Sequence, residues 1–121
     1  MHERAVLIFR AAVVLWVHMK IDFKGLYRYR HELLMRQCGY GMIQNRRTGE
    51  ISFARRLSNG LYPRFHAYVD TRADGFTVNL HLDQKAPSYG NETAHSGEYD
   101  GQVVEAEGER LRRVIEALKW T

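Results

Sequence analysis

The sequence predicts an α+β fold, a two-layer sandwich with two helices on one face of a mostly antiparallel four-stranded sheet, in the order β-α-β-β-β-α. Three observations predict it. Apolar and polar residues alternate on both sides of Asp74-Gly75, a pair favoured by tight hairpin turns because it tolerates positive φ. Val104, Gly108, Leu111, Ile115 and Leu118 recur at helical spacing near the C-terminus. Two amphipathic helices can cover only one face of such a sheet, which leaves the other face to water or a ligand.

The elements follow in order. Ile21 to Lys24 alternates as a short strand, and Leu26 to Cys38 reads as a helix with Leu26, Leu33, Leu34 and Cys38 near one face. Residues 41–49 read as a polar turn region. Ile51, Phe53 and Leu57 alternate with Ser52, Ala54 and Arg56, a half-buried strand whose pattern Arg55 interrupts. An interrupting arginine implies a solvated edge or a stem that snorkels. Phe65, Ala67 and Val69 alternate with His66, Tyr68 and Asp70; Phe76, Val78, Leu80 and Leu82 alternate with Thr77, Asn79, His81 and Asp83. Residues 84–101 show no period. Gln102 to Trp120 reads as a helix with Asp100 as its N-cap. Gly108 on its apolar stripe implies a close approach to the sheet.

The 121 residues make one domain, and 45% apolar with 26% charged residues exclude wholesale disorder. A single cysteine, Cys38, excludes an internal disulfide and a cysteine-based zinc finger. Residues 1–18 have no place in the pattern. Their apolar run, 5–17, is too short to cross a ~30 Å hydrocarbon core and carries Arg10 in its middle. No small-residue cleavage pattern follows it. Because MKIDFKG opens directly with strand-like alternation, residues 19–121 are expected to form the domain. Residues 1–18 are then an apolar extension upstream of a start at Met19, with a packed or interfacial helix and, last, a signal segment as the other readings. The expectation is a cytoplasmic protein without a membrane span.

Charge divides the chain. Residues 1–72 hold 13 Lys/Arg and 5 Asp/Glu, a net +8, whereas residues 73–121 hold 5 and 9, a net −4. If Asp74-Gly75 forms the hairpin loop, Tyr68 lies opposite His81, and His66 opposite Asp83. A two-residue slip pairs His66 with His81 instead, and either register gathers His66, Tyr68, His81 and Asp83 on the open face. Pairing Leu57 with Phe65 adds Arg56 beside His66. The long loop that follows carries Lys85, His95 and Glu98 and leads to a helix N-terminus, where unpaired N–H groups favour anions.

These residues point to three functions. The leading expectation is a small RNA- or nucleic-acid-binding domain. Tyr68, His66 and His81 would stack on bases or contact phosphate, flanked by Arg46, Arg47, Arg55, Arg56, Arg64 and Lys85. Asp70 and Asp83 on the same face, with Glu92, Glu98 and Asp100 from the long loop, oppose that reading, because they would repel phosphate unless a metal or histidinium neutralised them. The alternative is a histidine-dependent phosphodiesterase or nuclease-like hydrolase using His66, His81, His95 and Glu98. It would work without a metal or with zinc or manganese on His81, Asp83 and His95. The third is a protein-interaction module whose basic half meets an acidic protein partner. The oligomeric state is left open.

The runs LHLDQKAPSY (80–89) and AHSGEYDG (94–101) resemble a recurrent pattern in small, uncharacterised bacterial and archaeal proteins. The resemblance covers roughly residues 19–118 and implies no activity, because none is assigned to that group. The α-β-β-β-α order from residue 26 is similar to double-stranded-RNA-binding domains and to small mRNA-interferase toxin domains. The chain lacks the toxin domains' Gly-Ser-His-His run, so no residue role carries over.

Overall fold

The computed structural model describes residues 3–8, 15–84 and 101–120. The fold is α+β, with an all-antiparallel sheet larger than the four strands expected. Strands β1 (Glu3–Ile8), β2 (Leu15–Lys24), β3 (Gly41–Gln44), β4 (Ile51–Arg56), β5 (Arg64–Arg72) and β6 (Gly75–Asp83) lie in the order β1-β2-β6-β5-β4-β3. Helix α1 (His31–Gln37) joins β2 to β3, and helix α2 (Gly101–Glu116) ends the fold. The order along the chain is β-β-α-β-β-β-β-α rather than β-α-β-β-β-α.

Both extra strands come from segments whose pattern hides them. Residues 3–8 and 15–18, assigned to an extension, join the sheet as β1 and the first residues of β2. β3 falls in the expected turn region and is exposed along its length, so no buried alternation marks it. It pairs with β4 through Met42 opposite Phe53 and Ile43 opposite Ser52. Asn45 closes the turn between them, its side-chain oxygen accepting from the backbone N–H groups of Arg47 and Thr48 at 2.9 and 3.0 Å.

The core lies between the sheet and the helices. Met19, Ile21 and Phe23 of β2, Phe65 and Ala67 of β5, and Phe76, Val78 and Leu80 of β6 are buried beneath Val104, Leu111 and Ile115 of α2. Every sheet position in this set is one of the apolar members of the alternation, as a half-buried strand requires. Gly108 does approach the sheet closely. A Cβ there would lie 2.5 Å from Met19 Sδ and 3.4 Å from Ile21 Cδ1.

The first helix is shorter than expected. Residues 26–28 instead meet the end of the chain, with Arg28 N–H donating to Leu118 O and Trp120 N–H to Leu26 O at 2.9 and 2.8 Å. Leu26 is therefore 73% exposed, and Leu33 is exposed as well; the helix buries Leu34 and Met35. The same pairing draws residues 118–120 out of α2, which ends at Glu116.

Both hairpin registers settle two residues away from the first expectation. Arg72 pairs with Gly75, so the loop is Ala73-Asp74, and His66 faces His81 while Arg64 faces Asp83. Arg55 pairs with Phe65 and Ala54 with His66, and Leu57 N–H donates to Pro63 O at 3.1 Å, which carries the same register one step beyond the strands. A two-residue shift keeps every side chain on its face, so the hydrophobic pattern cannot detect it.

Candidate functional site: the open face of the sheet

Both helices lie on one side of the sheet, and among the described residues no element covers the other. Strand alternation sends His18 and Lys20 of β2, His81 and Asn79 of β6, His66 and Tyr68 of β5, and Ser52 of β4 to this open side. The registers place His18 opposite His81 and His81 opposite His66, so three imidazoles form one row across three strands. The rings of His18 and His81 are 5.1 Å apart and nearly parallel, at 15°. Tyr68 tilts against His66 at 4.8 Å and meets His81 edge-on at 5.9 Å.

His66 is fixed from both sides. Its Nδ1 lies 3.1 Å from Asp83 Oδ2, and its Nε2 lies 2.9 Å from Ser52 Oγ. With Nδ1–H donating to the carboxylate, Nε2 accepts from the serine hydroxyl. These are the separations of a nucleophile, base and orienting acid. Ser52 is only 6% exposed, however, so the chain of bonds holds the imidazole rather than presenting a nucleophile. The register was needed to find Ser52; its strand alternation alone marks it as an outward polar residue.

Asp83, Asp70 and Asp22 on this face each have a partner. The His66 bond, followed by the charges of His66 and Arg64, holds the Asp83 carboxyl below its usual range despite partial desolvation. Arg64 Nε lies 3.5 Å from Asp83 Oδ2, and its guanidinium stacks 4.9 Å over Tyr62. Asp70 accepts from Asn79 Nδ2 at 3.0 Å. Asp22 accepts from Thr77 at 2.6 Å, the chief reason its carboxyl is lowered, and pairs with Arg72 at 3.5 Å. Asp70 and Asp83, two of the acidic residues counted against phosphate binding, are thus neutralised or hydrogen-bonded in place; Glu92, Glu98 and Asp100 lie outside the described residues.

Burial and then the neighbouring His18 charge push the His81 imidazole down; Asp83 opposes the shift and His66 adds to it. Desolvation, with smaller contributions from Glu50 and Asp83, raises the Tyr68 phenol.

The expected site residues divide into three groups. His66, His81, Tyr68, Asp83 and Arg64 gather on the open face. Arg46 and Arg47 sit exposed in the β3–β4 turn, and Arg56 is exposed at the end of β4, its Nη1 donating to Asn59 O at 3.3 Å. Arg55 is a correction: it shares the parity of Phe53, so it points to the helix layer and pairs with Glu107 at 3.2 Å. Its stem does snorkel, toward a buried carboxylate rather than toward solvent. Lys85, His95 and Glu98 lie outside the described residues. Among the described residues, no group of three or more His, Cys, Asp and Glu is placed to hold a metal ion. The expected zinc or manganese set also requires His95, beyond them.

His18 and Lys20 complete the face and were not among the expected site residues. The alternation of MKIDFK extends back to Val17-His18, which would have put both beside Asp22 on the outward side. No described helix is long and apolar enough to cross a membrane. No protein-family model, curated protein or solved structure matches the chain.

Proposed function

We propose that the chain is a nucleic-acid-binding domain that takes single-stranded RNA on the open face of its sheet. One observation carries the reading: four rings, from His18, His81, His66 and Tyr68, form a contiguous patch on a sheet face with no described cover. Ring patches of this kind suit unstacked bases, since every base has a π-face. Lys20, Lys24 and Arg64 on the face, with Arg56 and the Arg46-Arg47 turn at its margin, supply phosphate contacts.

The test is a fluorescence titration of the full chain with a short uridine oligomer over a salt series. Affinity is expected to fall with log salt at a slope of about −0.7 per neutralised phosphate. Tyr68→Ala should lose ~1–3 kcal/mol of binding, the usual contribution of one stacked base, while leaving that slope unchanged. Absence of binding at low salt would overturn the reading.

A further inference from the structure

The two parallel imidazoles at the β2–β6 step are placed to do more than stack. We propose that His18 and His81 form an acid–base pair that cleaves bound RNA by transesterification at the 2′-hydroxyl. The proposal rests on the RNA-binding reading and extends it from binding to chemistry.

Geometry comes first. The two residues lie directly opposite each other on neighbouring strands, and their rings are 5.1 Å apart at 15°. Two near-parallel rings at that separation, both on the face that no described element covers, can bracket one phosphate group, with one ring nitrogen near the entering oxygen and one near the leaving oxygen. The surroundings hold the pair. Tyr68 meets the His81 ring edge-on, and His66, locked between Asp83 and Ser52, fills the next place in the row. From β2, Lys20 stands two residues beyond His18 on the same side, a diagonal neighbour within reach of a long side chain toward the non-bridging oxygens. Arg64 pairs with Asp83 on the far side of His66. In the β1 register, Ala5 faces His18 and Glu3 faces Lys20.

The roles follow from the environments. Burial lowers the proton affinity of the His81 imidazole, which suits it to be the base. His81 takes the proton of the 2′-hydroxyl, and O2′ forms a bond to the adjacent phosphorus. The P–O5′ bond breaks, and His18, acting as the acid, gives a proton to O5′. The products are a 2′,3′-cyclic phosphate and a 5′-hydroxyl end, with every atom and charge supplied by the RNA and the two imidazoles. His18 and His81 touch the reacting oxygens and are catalytic residues; Tyr68 and the Asp83–His66–Ser52 chain are positioning residues.

The experiment follows a uridine RNA oligomer and its DNA counterpart with excess full-length protein, in single-turnover reactions containing EDTA, and identifies the ends by mass spectrometry. RNA should be cut to cyclic-phosphate and 5′-hydroxyl ends, and DNA, lacking the 2′-hydroxyl, should stay intact. His81→Asn and His18→Asn should each slow cleavage about 10²- to 10⁴-fold, and the double variant little more, because the two act as a unit. His31→Asn, on the helix side, should cleave like the parent. Should one histidine variant fail to fold, the other and the end chemistry still decide. RNA bound but uncut would overturn the proposal and leave the binding reading standing; neither binding nor cleavage would overturn both. Products with 5′-phosphate ends, cleavage of the DNA, or equal rates in parent and histidine variants would each overturn the proposal.

Discussion

Replacing Glu107 by leucine is expected to destabilise the fold by about 3–5 kcal/mol, the range seen when one partner of a buried charge cluster is removed. Glu107 is 5% exposed and receives four bonds. Tyr40 Oη donates to Oε2 at 2.6 Å, Arg55 Nη1 to Oε1 at 3.2 Å, and Arg110 to both oxygens at 2.9 Å. Arg110 also donates to the carbonyl of Cys38 at 2.6 Å. One carboxylate therefore ties β4, the residues after α1 and α2 together, and desolvation plus that carboxylate push the Tyr40 phenol far up. Without Glu107, the Arg55 guanidinium and the Tyr40 phenol lose the acceptor described for them, and Arg110 keeps only the Cys38 carbonyl. Tyr40→Phe removes a single donor and should cost only ~1–3 kcal/mol. Urea unfolding of both variants checks the order; a leucine variant no weaker than the phenylalanine one would mean that the cluster is solvated.

Gly75→Val should cost about 3 kcal/mol or more. Gly75 holds a φ of +153°, a conformation in which a side chain is strained by ~1–3 kcal/mol. It is also flanked by Lys24 and Arg72 in the ladders on either side. A Cβ there would overlap the Phe23 carbonyl oxygen and lie 2.9 Å from Lys24 Cα, so β2 itself would have to move, adding ~1–3 kcal/mol of overpacking. The loss is backbone against backbone and cannot be relieved by a rotamer change. A loss below ~1 kcal/mol in chemical denaturation would show that β2 and β6 are not paired in this register.

These two positions also show what the sequence could and could not disclose. Asp74-Gly75 marks the hairpin correctly, but the glycine serves the strand rather than the loop, and that depends on the proximity of β2 some fifty residues earlier. Glu107 reads as one of several acidic residues near a helix start. Its burial follows from where Arg55, Arg110 and Tyr40 meet, which is tertiary information. The alternation in β5 and β6 put His66, Tyr68, His81 and Asp83 on one face whatever the register, since only an odd slip changes faces. His18 was missed because the domain was expected to begin at Met19, although the alternation of MKIDFK runs back through it. β3 was hidden because an exposed edge strand buries neither face.

The central claim is that RNA lies on the open face of the sheet. The most direct measurement is an NMR titration of the labelled full chain with a uridine oligomer, following side-chain signals that belong to one face or the other. The account predicts that the imidazoles of His18, His66 and His81, the Tyr68 ring and the Asn79 side-chain amide shift together as RNA is added, while the Trp120 indole and the His31 imidazole stay still. Shifts confined to Trp120, His31 and their neighbours, with the histidine row unmoved, would contradict it.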